Sequence, residues 1–166
     1  MSGQPKLQNA NERMDAITQA LDDYEKGCGL PASQMPCDED ELSEYFNMDR
    51  GAIEKLSGED CGQIAYRLSQ VSFYLQRCIN REEARLAWAN STMNNIIDKA
   101  AKDFDKFIKY EIRVATIKGE NSHVEALGNI ASYAAQRVKR LAFLASSVKN
   151  LSDVMLANQR SKRTNG

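Results

Sequence analysis

The sequence predicts an all-α protein: a long, coiled-coil-like antiparallel helical hairpin, preceded by short acidic helices and built to self-associate. Three observations point there. The 166 residues include only 3 Pro and 9 Gly, too few turn-formers for a many-stranded β fold. Between Gly62 and Gly119 there is neither Pro nor Gly, and apolar residues recur at helical steps of three and four. Later in the chain, apolar residues repeat every seven positions.

Asn11 reads as the cap of a first helix carrying Met14, Ile17, Leu21 and Tyr24 on one face, stopped by Gly27. Residues 27–37, GCGLPASQMPC, read as loop. Asp38 caps an acidic turn, DEDELSEYF, and Asp49 caps another short helix that ends at Gly58. Ser57 followed by Asp60 resembles a capping box and opens the long helix.

Its apolar positions are Ile64, Leu68, Val71, Leu75, Ile79, Leu86, Met93, Ile97, Ala100, Phe104 and Ile108. The steps of four at 71–75–79 resemble a stutter. Read literally, this is one helix of roughly 57 residues, or ~85 Å. Helix propensity drops at Asn90–Ser91–Thr92 and at Asn94–Asn95, where a break is expected.

Lys118-Gly119-Glu120-Asn121 is the turn signal of the second half, and Ser122 with Glu125 resembles another capping box. A last helix is expected from about 122 to 160. Leu127, Ala134, Leu141, Val148 and Met155 form one heptad column; Val124, Ala131, Val138, Ala145 and Ser152 form a second. The small residues of the second column suit close helix approach. The tail RSKRTNG reads as frayed and basic.

A hairpin of two long helices cannot bury both faces of each helix by itself. Homo-oligomerisation through Leu127, Leu141, Val148 and Met155 is therefore expected. The division is an acidic arm at 1–57 and a basic hairpin at 58–166. Residues 1–60 carry 5 Lys/Arg and 14 Asp/Glu, whereas residues 61–166 carry 17 and 9, so a net charge of −1 hides a dipolar chain. The arm either packs on the hairpin, covers its basic face, or reaches a partner.

Several classes are disfavoured. The four cysteines, at 28, 37, 61 and 78, show no CxxC pair and there is one histidine, His123; a zinc site lacks its pattern. No GxxxxGK[ST], GxGxxG, HExxH or GxSxG occurs. No catalytic residues, metal or cofactor are expected, and the chain does not read as an enzyme. No apolar run approaches the ~18 residues of a membrane span, and Met1 is followed by polar residues. A cytoplasmic protein with reduced cysteines is expected.

The polar faces carry the functional signal. Tyr74, Arg77, Arg81, Arg85 and Trp88 step by 3, 4, 4 and 3 along one helix face. Arginine forks match phosphate, and aromatic faces stack unpaired bases. The same spacing also suits a packed face, with the arginines paired to Glu82 and Glu83 or to another subunit. Lys99, Lys102, Lys106, Lys109 and Arg113 step by 3, 4, 3 and 4. That suits a phosphate track, or a solvated face with Asp98–Lys102 and Asp105–Lys109 pairs. Tyr133, Arg137 and Arg140 form a third cluster.

The stretch YRLSQVSFYLQRCINREEARLAWANSTMNNI (66–96), its lysine-rich continuation and the helix RVKRLAFLASSVKNLSDVMLANQRSKR (137–163) resemble the UvsY-type recombination mediators of tailed phages. The resemblance covers roughly residues 62–163 and rests on the order of features. It implies a ring-forming, non-enzymatic protein that binds single-stranded DNA and helps a RecA-like recombinase displace a single-strand-binding protein, in the cytoplasm of a bacterial host. Carried over, DNA contact falls first on Arg77, Arg81 and Arg85, then on Lys99, Lys102 and Lys106. The acidic first 60 residues are longer than that family leads one to expect. The other reading is a helical adaptor, virion-assembly or host-inhibitor protein whose arginine–aromatic stripe is a protein interface.

Overall fold

A computed structural model describes residues 8–30, 34–105 and 107–164. Among them there is no strand; six α-helices follow one another: α1 (Gln8–Gly27), α2 (Glu39–Asn47), α3 (Arg50–Lys55), α4 (Gly58–Ala100), α5 (Tyr110–Glu120) and α6 (Ser122–Thr164), with a 3-10 turn at Ala101–Asp103. None is long and apolar enough to cross a membrane.

The helix starts follow from short polar side chains. Asp38 and Asp49 accept hydrogen bonds from the backbone N–H groups of Glu41 and Ala52, capping α2 and α3. Ser57 and Asp60 make the reciprocal capping box that opens α4. For α6 the cap is Asn121, one residue earlier than expected: its Oδ1 accepts from His123 N and Val124 N. Asn11 does not cap α1, which already runs from Gln8. The helix ends at Gly27, as expected. Leu30 N donates to Glu25 O and Gly29 N to Lys26 O, a Schellman closure that needs the positive φ of Gly29, +79°.

Two compact units make up the chain, Met1–Ala32 with Asn80–Val138, and Ser33–Ile79 with Lys139–Gly166. Each takes part of the acidic N-terminal third and part of both long helices.

In the unit of 33–79 and 139–166, α4 and α6 run antiparallel around Ile64, Ala65, Leu68, Val71, Leu75, Val148 and Met155. Leu42, Tyr45, Met48, Ile53 and Leu56, from α2, α3 and their ends, close over this core. Ser152 Oγ donates to Ala65 O at 3.0 Å and lies 3.1 Å from Ser69 Oγ. As far as Thr164 the basic tail is helical and not frayed, and Lys162 Nζ donates to the carbonyls that end α3, those of Ile53, Glu54 and Leu56; residues 165–166 lie outside the described residues.

In the unit of 1–32 and 80–138, Ile97, Ala101, Ile117 and Val124 form the core, flanked by Met93, Ile96, Phe104 and Val114. Helix α4 runs unbroken through Asn90–Asn95 and stops at Ala100 instead. The single helix over 62–118 is thus corrected to α4, a reversal at 101–109, and α5. Asp105 explains the stop in part: Oδ1 accepts from Phe107 N and its carbonyl from Ile108 N, a local turn that competes with the helix. The rest is tertiary. Folding α5 back places Ile117 against Ile97 and Ala101, burial that a straight helix would forgo.

Leu127, Val148 and Met155 are fully buried within the single chain, and Leu141 packs on the edge of the core. Leu141, Val148 and Met155 therefore pack with α4 of their own chain, and Leu127 is buried in the other unit. The second surface that the hairpin needs comes from α2, α3 and α5.

Two outcomes are expected. Ser152→Ala should lower stability by ~1 kcal/mol, and Ser152→Leu by ~1–3 kcal/mol through overpacking, measured as urea unfolding free energies. Tyr45 donates to Glu41, and burial followed by that bond pushes its hydroxyl up to about 12. A raised folded pKa favours the protonated fold. The contribution is complete below the unfolded value of 10.0 and is lost as pH climbs from 10 to about 12. Tyr45→Phe should flatten that alkaline loss in pH-dependent melts.

Candidate nucleic-acid interface

In the unit of 33–79 and 139–166, Tyr74 is half-buried against the core. Arg77 is buried, its guanidinium 5.9 Å from the Phe73 ring centroid. In the other unit, Arg81 pairs with Asp22 of α1. Arg85 Nη1 donates to Glu82 at 2.6 Å, and Arg137 Nε of α6 donates to the other oxygen of the same carboxylate at 2.8 Å. Trp88 is half-buried. One buried carboxylate thus joins α4 to α6 through two guanidiniums. The spacing that aligns these residues belongs to a face turned toward neighbouring helices.

The lysine row has a different fate. Its members do not share one helical face, because the helix ends between them. Lys99 closes α4, Lys102 sits in the 3-10 turn, Lys109 caps α5, and Arg113 lies in its first turns. Lys106 lies outside the described residues. Lys99, Lys102 and Lys109 are exposed. Arg113 is half-buried; it donates to Ala101 O at 3.1 Å and lies over Tyr110, 5.9 Å from the ring centroid.

The reversal that carries them is pinned. Tyr110 OH donates to Asp98 at 3.0 Å, and this bond raises the hydroxyl above its ordinary value. With Arg113 on Ala101 and Asp105 on Phe107, it holds the turn at three points. The turn presents Phe107, which is 96% exposed, and half of the Tyr110 ring. Sequence periodicity missed both rings, since a helix through 62–118 leaves no bend to display them. The available signal was Asp105, two residues before Phe107.

Asp98 and Asp105 lie among these lysines, in bonds that shape the turn, so the surface is only weakly cationic. Its grip on a polyanion would draw on ring stacking as well as on lysine. Arg137 of the third cluster serves Glu82, while Tyr133 and Arg140 are exposed.

No family model, curated protein or solved structure matches this chain.

The Glu82 junction sets a stability expectation. Glu82→Gln leaves two guanidiniums without a countercharge and should cost ~2–3 kcal/mol. The exposed neighbour substitution Glu83→Gln should stay within about 0.5 kcal/mol. Urea titrations followed by circular dichroism measure both.

Proposed function

We propose that this protein is a non-enzymatic binder of single-stranded nucleic acid. It works as a recombination mediator, the class implied by its resemblance to the UvsY-type proteins. The observation that carries the reading is the pinned reversal after α4. There an exposed phenylalanine and a half-exposed tyrosine stand among Lys99, Lys102 and Lys109. Rings stack unpaired bases and lysines follow phosphates without reading sequence. A duplex hides its base faces and should bind less well. Within this reading, the arginines of the long helix act mainly as scaffold. A RecA-like recombinase, a single-strand-binding protein and homo-oligomer formation belong to the same proposal.

A second reading is favoured by other surfaces. Tyr66 and Phe73 on α4, and Phe143 on α6, are more than half exposed away from any lysine row. Large exposed rings of this kind also serve as protein-contact anchors, as in a helical adaptor or assembly protein.

The test is fluorescence anisotropy with a labelled oligothymidine and a duplex of equal length, at low and moderate salt, with mass recorded by light scattering. Salt-sensitive preference for the single strand is expected. Phe107→Ala should weaken it by roughly fivefold or more, the loss of one stacked base. Replacing Lys99, Lys102 and Lys109 by alanine should flatten the salt dependence. Absence of binding at low salt would turn the search to a protein partner of Tyr66, Phe73 and Phe143.

A further inference from the structure

We propose that α1 is a displaceable acidic strap, and that the face of α4 beneath it, centred on Arg81, is a second contact for a phosphate backbone. The inference rests on the nucleic-acid reading above and adds a regulated surface to it.

The contact itself comes first. Asp22 of α1 occupies Arg81 of α4 directly, yet the two side chains keep 38% and 26% of their exposure. Competing anions can therefore reach the pair. The occupant is also a chemical stand-in, since a carboxylate and a phosphate both offer oxygens to the guanidinium fork. In the structure Asp22 takes only Nη2, while Arg81 Nε is buried without an acceptor. Arg85, one turn further along α4, likewise has a buried Nε without an acceptor, although its Nη1 is on Glu82. Fork donors thus stay unsatisfied at two consecutive arginines, and such donors are costly when buried. A phosphate group has oxygens enough to take Nε and Nη2 together.

Helix α1 buries little apolar surface. None of its described side chains is fully buried; Met14, Ile17, Thr18, Asp22 and Glu25 are half-buried and lie on one face. Tyr24 is largely exposed, and Leu21 marginally so. Elements anchored by so little apolar surface open at low free energy. The helix also carries Glu12, Asp15, Asp22, Asp23 and Glu25 against Arg13 and Lys26, so its departure removes repulsion for an incoming polyanion. A docked strap lowers apparent affinity by the fraction of molecules in which it is released.

The test uses the full chain and a labelled oligothymidine as probe. Asp22→Lys replaces one anchor with a repelling charge. Asp23→Lys makes the same charge change at an exposed side chain that accepts a hydrogen bond from Gln19 of its own helix. Two readouts are followed, amide hydrogen exchange over residues 8–27 and probe affinity at low salt.

Asp22→Lys is expected to speed exchange through α1, leave α5 unchanged, and bind the probe at least fivefold tighter than Asp23→Lys. Adding Arg81→Gln to Asp22→Lys should abolish that gain. In the unsubstituted protein, probe should speed exchange across 8–27. The strap is overturned if Asp22→Lys binds no tighter than Asp23→Lys, if the gain survives Arg81→Gln, or if exchange in α1 does not change. Wild-type binding with no added gain defeats the strap alone. Failure of every variant to bind defeats the strap and the nucleic-acid reading together.

Discussion

Small side chains on α6 set how closely α4 can approach it, and the remaining packing is built around that distance. In one unit, Ser152 is small enough to donate across the interface to a backbone carbonyl of α4 while staying 3% exposed. In the other, Ala131 and Ala134 are buried on the same helix, as is Ala89 on α4. Helices held this close interdigitate their larger neighbours, Leu68 and Met155 in one unit and Leu127 in the other, with almost no exposed area.

That constraint decides what each charged residue does. Close helix contact forces the polar groups at its edge to be paired, since an unpaired charge near the core is expensive. Glu82 answers it with two arginines at once, and Arg77 with the face of Phe73. These are costs of packing before they are features of a surface. Cations far from the contact are under no such demand. Lys99, Lys102 and Lys109 stay exposed at the reversal, and the turn can afford to show Phe107 because its backbone is held from Asp98, Ala101 and Asp105.

Much of the fold was legible in residues. The caps at Asp38, Asp49 and Ser57–Asp60 were readable because they are local: a side-chain oxygen and a backbone N–H three residues on. The heptad columns of α6 were readable for the same reason, as period is a property of one helix. The candidate site was legible only in composition. The lysines were visible, but their faces were drawn on a helix that ends at Ala100, so the neighbouring rings of Phe107 and Tyr110 escaped notice.

By itself, then, the sequence determined the helical character of the chain, the starts of its helices and which residues are apolar enough to be buried. Those follow from dihedral preference, capping chemistry and periodicity, all within a few residues. Tertiary structure decided the partners. It buried Leu127, Val148 and Met155 within the chain itself, ended the long helix at Ala100, and placed Asp22 on Arg81. The reason is that burial and ion pairing join residues tens of positions apart. No spacing rule along one helix can say which of two amphipathic neighbours will cover its face.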